Sequence, residues 1–198
     1  MAAMMLPTIV PMVLAHRAVA LRRSEGALST FAFVTGYALV WSAVCLAVWL
    51  AYPVFGQWSQ DDAAQSLWQL MLAASMLFYA GLYQFTGWKR YCADMCRSPL
   101  TFVFTHNSRK GVLHALRAGV MHGEYCFGCC WGLMVILFVM GIMHLGWMAA
   151  VGALILVEKL LPAGKWISNA IGAVFVVVGG IVALFPETLA RLSSQVVL

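Results

Sequence analysis

The chain has 198 residues, 63% of them hydrophobic and only 10% charged, with a formal net charge of +5. A soluble domain carries about 25% charged residues, so this composition excludes a water-coated globule and points to lipid as the solvent. The basic excess fits the cytoplasmic loops of a membrane protein; no aromatic-interleaved basic patch speaks for nucleic acid.

A spanning helix needs about 20 largely apolar residues. The chain offers six such stretches, read as one integral membrane domain over residues 1–198. The first is short, 2–16, and Pro7 and Pro11 are expected to kink it. It lacks the basic start and small-residue cleavage site of a signal peptide. The others run over 27–52, 63–88, 118–140, 145–161 and 167–185. Gly141 and Gly146 mark a turn between the fourth and fifth spans, Pro162 and Gly164 break the fifth from the sixth, and Pro186 ends the last. The expected fold is an all-α polytopic transmembrane bundle.

Charge orients it. Arg17, Arg22 and Arg23 follow the first span. Lys89, Arg90, Arg97, Arg109, Lys110 and Arg117 fill the stretch between the third and fourth, and Lys159 and Lys165 flank the break after the fifth. The loop after the second span has Asp61 and Asp62 and no basic residue. This alternation predicts a basic cytoplasmic loop over 89–117 and both termini on the periplasmic side of a bacterial inner membrane. Arg191 in the outer tail runs against the pattern.

Five of the six cysteines fall between Cys92 and Cys130; Cys45 stands alone and reads as a small core residue. The densest run is His122-Gly123-Glu124-Tyr125-Cys126-Phe127-Gly128-Cys129-Cys130-Trp131. On a helix, His122, Cys126, Cys129 and Cys130 share an arc of about 100° but spread over about 12 Å of axis. Neighbours can share an ion, whereas all four on a straight helix cannot, so another helix must complete a site. Thiolate and imidazole suit Cu(I) first, with Zn and haem iron as less favoured alternatives. Small cysteines also help membrane helices pack, but three with a histidine on one face favour a metal.

If the fourth and fifth spans turn near Met143, Glu158 stands level with Cys126 to Cys130, and an ionisable group at that depth is a functional candidate. Pairing with Lys159 or Lys165 is its structural alternative. His144 is about 27 Å along the axis from Cys126, too far to share an ion. Cys92 and Cys96 lie one turn apart on a short basic helix on the cytoplasmic side, where thiols stay reduced. Met1, Met4, Met5 and Met12 crowd the first span; thioethers are soft ligands, although methionine also fills core gaps. No phosphate-cradling glycine loop or hydrolase constellation is present, so no catalytic residue is expected.

Three segments together resemble a known group. They are Tyr83-Gln84-Phe85-Thr86-Gly87-Trp88-Lys89-Arg90-Tyr91-Cys92 with Cys96-Arg97-Ser98-Pro99, the run from His122 to Trp131, and Leu156-Val157-Glu158-Lys159-Leu160-Leu161-Pro162. Ala3-Met4-Met5-Leu6-Pro7 fits as well. The chain resembles a bacterial domain-of-unknown-function family of predicted metal-binding integral membrane proteins. The resemblance implies membrane and metal, with no reaction. Such proteins carry more apolar residues before the Ala-Met-Met-Leu-Pro stretch, so the first span is expected to be truncated here or its start mis-set.

The leading expectation is a protein that binds or hands on a transition metal, copper favoured. His122, Cys126, Cys129 and Cys130 form the intramembrane site, with Met4, Met5 and Glu158 as partners and Cys92 and Cys96 as a cytoplasmic loading point. The alternatives are a structural or assembly subunit of a membrane complex, and a thiol-disulfide oxidoreductase using Cys126 and Cys129. The expected partners are the lipid bilayer and a membrane protein or a second copy.

Overall fold

Long apolar runs without a two-residue alternation satisfy their backbone groups internally as helices. The computed structural model describes residues 2–56, 67–106, 111–140, 145–161 and 164–184, and every element in them is helical. In chain order these are α1 (Ala2–Arg22), α2 (Ala27–Gly56), α3 (Leu67–Gln84), α4 (Gly87–Arg97), α5 (Pro99–His106), α6 (Val112–Met140), α7 (Leu145–Leu160) and α8 (Gly164–Leu184). The turn expected near Met143, together with His144, lies outside the described residues.

The expected spans map onto α1, α2, α3, α6, α7 and α8, with shifted bounds. The helix α1 runs on through Arg22, past the expected end at 16. The third stretch ends at Gln84, because Thr86 starts a new helix: its hydroxyl accepts the Lys89 backbone N–H at 3.3 Å, the geometry of an N-cap. Residues 89–117 are therefore not simply a loop. They hold α4, α5 and the first turns of α6. Pro99 opens α5, where its missing N–H costs nothing.

By length and apolar composition, two described helices suffice to cross a bilayer, Ala27–Ala51 within α2 and Gly164–Leu184. The other four expected spans do not meet that measure within the described residues. In α7 the shortfall is plain: it has 16 residues and ends on Glu158-Lys159-Leu160.

Helix α6 is the hub and packs against α2, α3, α4 and α7, while α3 pairs with α8 and α1 lies against α2, α5 and α7. Two glycines let α2 and α6 touch backbone to backbone. A Cβ on Gly119 would sit 2.0 Å from the Phe33 carbonyl oxygen, and one on Gly36 would sit 2.2 Å from that of Leu116. Small residues at such crossings are the usual route to close packing in an apolar solvent. The core so formed holds Met5, Met12, Phe33, Tyr37, Trp41, Cys126, Cys129, Cys130 and Ile155. The outer faces are also apolar, with Leu39, Leu46 and Leu50 on α2 and Val174, Val177 and Ile181 on α8 exposed.

One basic residue departs from its expected place. Lys89, counted with the cytoplasmic charges, is 1% exposed. It donates to Gln84 of α3, to Glu158 of α7 at 2.6 Å and to Ser168 of α8 at 2.5 Å. Three helices thus meet on the ammonium of a fourth.

Candidate metal centre

Cys126, Cys129 and Cys130 are all buried on the inward face of α6. The thiols of Cys129 and Cys130 both donate back to the Cys126 carbonyl, at 3.1 and 2.8 Å. That local bonding turns both sulfurs toward the turn that carries Cys126. Cys126 Sγ accepts from Lys159 Nζ of α7 at 3.0 Å and lies 3.4 Å from the Tyr37 hydroxyl of α2. Tyr37 also donates to the Met5 carbonyl of α1 at 3.3 Å. Met5 is buried in the same core as Cys126. The Met4 side chain lies outside the described residues.

Helix α4 brings the second cysteine pair to the first. Cys96 Sγ stands 3.8 Å from Cys129 Sγ, so the structure brings Cys96 to the cysteines of α6. Cys92, one turn earlier, fits a notch left by a glycine: a Cβ on Gly128 would meet Cys92 Sγ at 2.9 Å. Burial, helped by the neighbouring Cys129, pushes the Cys92 thiol up to about 11. Cys45 is half-buried on α2.

Glu158 is buried at the depth expected and lines a small cavity with Cys129, Cys130, Lys159, Arg97, Ala93 and Ile155. Its carboxylate is already engaged. Oε1 is 2.6 Å from Lys89 Nζ and 3.9 Å from Arg97 Nη2, and its backbone carbonyl accepts from Arg97 Nε at 3.1 Å. Neither Lys159 nor Lys165 is its partner: Lys165 pairs with Asp94 at 3.3 Å, and Lys159 points to Cys126.

His122 is buried one turn before Cys126, in an aromatic cage. Its ring centroid is 5.8 Å from Tyr37, 6.0 Å from Phe33 and 5.2 Å from Phe102. Its Nδ1 has no hydrogen-bond partner among the described residues.

The donor chemistry suits a soft ion. Two metal–sulfur bonds of about 2.3 Å subtend an angle of ~110° across a gap like that between Cys96 and Cys129, close to tetrahedral. Among the described residues, no three His, Cys, Asp or Glu side chains are already grouped tightly enough to enclose an ion. Cys126 and Cys130, buried on the same face of α6, are the candidates for a third sulfur. Lys159 and Tyr37 are the neighbours that motif reading passes over. The available signal for Lys159 was a cation at the same depth as the cysteines.

No curated protein and no solved structure matches the chain. A family model described as PpoB2, copper chaperone, matches residues 1–182.

Proposed function

The chain belongs to the PpoB2 copper chaperone family, and from that membership we propose that it is an integral membrane protein that holds Cu(I) on a thiol cluster and hands it to a partner. Cys96, Cys126, Cys129 and Cys130 are the proposed ligands. Two or three of them bind at a time, and His122 and Met5 stand as flanking soft donors. The observation that carries this reading is the 3.8 Å between Cys96 Sγ on α4 and Cys129 Sγ on α6. Thiols from two separate elements meet there, as a site completed across helices requires.

Binding displaces protons from the thiols, which frees the Cys126 carbonyl from its two S–H donors. A cluster of thiolates in an apolar core needs a counter-charge, and the Lys159 ammonium at Cys126 supplies one. Cys92 supports the helix that carries Cys96. Glu158 acts as the anchor that ties α4 to α7, not as a ligand. The apolar outer faces of α2 and α8 support residence in a bilayer. The distribution of Lys and Arg supports a cytoplasmic α4 and α5 with both termini in the periplasm. Delivery calls for contact with a membrane partner or a second copy.

Anaerobic competition with a chromophoric Cu(I) chelator tests the reading. Cys129→Ser is expected to release copper to the chelator at least ~100-fold more readily than the parent, a loss of about 2.7 kcal/mol. Equal retention by the two would sink the proposal.

The same sulfur pair favours a second reading, in which Cys96 and Cys129, rather than Cys126 and Cys129, alternate between dithiol and disulfide. A protein that binds no Cu(I) yet is isolated with a reducible Cys96–Cys129 bond would select it.

A further inference from the structure

The helix α1 carries a buried stripe of Met5, Ile9, Met12 and His16, each at most 5% exposed. Positions 5, 9, 12 and 16 follow the three- and four-residue spacing of one helix face. His16 is fully buried, and neither ring nitrogen has a hydrogen-bond partner among the described residues. A neutral imidazole has one donor and one acceptor, and leaving such a group unpaired in a core costs about 1–3 kcal/mol. In a bilayer no water relieves that cost. Packing alone would be better served there by Phe or Leu.

The surroundings of His16 are those of a soft cation site. Helical side chains lean toward the N-terminus, so the imidazole leans over the turn that carries Met12, which is 2% exposed. On its other side the ring stacks on Phe33 at 4.7 Å, and Phe33 stands 6.0 Å from His122 on α6. One phenyl thus lies between two imidazoles that both carry unpartnered nitrogens. The second of these is one turn from Cys126.

Thioether and imidazole are both neutral donors that accept Cu(I). We propose that Met12 and His16 form a second Cu(I) site, distinct from the thiol cluster and separated from His122 by Phe33. The inference rests on the reading of Cu(I) as cargo, but uses none of the cysteines. Two neutral donors hold the ion more weakly than thiolates do, as a transfer step requires.

The test is anaerobic loading of the full, detergent-purified chain with Cu(I), with bound copper counted by elemental analysis. The parent is expected to hold one ion more than either His16→Phe or Met12→Leu, and these variants keep the thiolate-to-copper ultraviolet band. The triple variant Cys126→Ser, Cys129→Ser and Cys130→Ser is expected to lose that band and keep the ion at His16. His16→Phe preserves the stack on Phe33, and its melting temperature should equal or exceed that of the parent. If it fails to fold, Met12→Leu decides alone. An unchanged copper count and affinity in Met12→Leu overturns the second site, whereas unchanged copper in the triple variant overturns the thiol cluster instead.

Discussion

Lys89 Nζ stands 2.6 Å from Glu158 Oε1, with both side chains almost wholly removed from solvent. Through the further contacts of Lys89 with Gln84 and Ser168, this pair joins α3, α4, α7 and α8 at one point. Removing one partner strands a buried charge, which costs about 3–5 kcal/mol. Glu158→Ala is therefore expected to lower unfolding stability by about that amount, read by tryptophan fluorescence in detergent. The double variant Lys89→Met, Glu158→Leu should lose less than Glu158→Ala alone, because it strands no charge.

The ammonium of Lys159, 3.0 Å from Cys126 Sγ, faces the sulfurs that carry negative charge once copper binds. Lys159→Met should weaken Cu(I) retention about tenfold or more, equivalent to about 1.4 kcal/mol. Lys159→Arg keeps the charge and should retain most of the affinity. Chelator competition on the three proteins side by side reads this. Equal losses for Met and Arg would mean that charge is not what Lys159 supplies.

Close contact of α2 and α6 holds Tyr37 and Phe33 against Cys126 and His122. A methyl on Gly119 would meet the Phe33 carbonyl at 2.0 Å, whereas one on Gly180 would meet nothing within 4 Å. Gly119→Ala should destabilise by about 1–3 kcal/mol through overpacking and weaken copper retention as well. Gly180→Ala should stay within about 0.5 kcal/mol of the parent. Thermal unfolding of the two variants checks the contrast.

The thiols of Cys96 and Cys129 are close enough to be joined by a mild oxidant such as diamide, since side-chain rotation can bring 3.8 Å to the bond length of about 2.05 Å. Peptide mapping of the oxidised protein should find Cys96 linked to Cys129 in preference to a Cys126–Cys129 bond. Loading with Cu(I) beforehand should suppress the link.

Much of this was legible in the residues. Run length alone places six of the eight described helices, with α1 and α6 each running six residues beyond the expected bounds, and hairpin arithmetic sets Glu158 level with Cys129. The clustering of five cysteines points to the candidate site. What the residues do not encode is direction. A lysine just past an apolar run reads as an interface charge, yet Lys89 turns inward because Thr86 ends α3 and folds α4 back against α6. Lys159 follows Glu158 in sequence, which makes a pairing of the two one structural alternative. A helix turns adjacent residues by about 100°, which sends one toward Lys89 and the other toward Cys126. The approach of Cys96 to Cys129 depends on that same return of α4, which periodicity cannot reveal. Nothing in a sequence tells a buried, unpartnered imidazole such as His16 from a satisfied one.

X-ray absorption at the copper edge of the purified, Cu(I)-loaded chain tests the central claim most directly. The account predicts a Cu(I) edge with a first shell dominated by sulfur, and a marked loss of that sulfur scattering in the Cys126→Ser, Cys129→Ser double variant. A shell of nitrogen and oxygen alone, or one unchanged in the double variant, would contradict it.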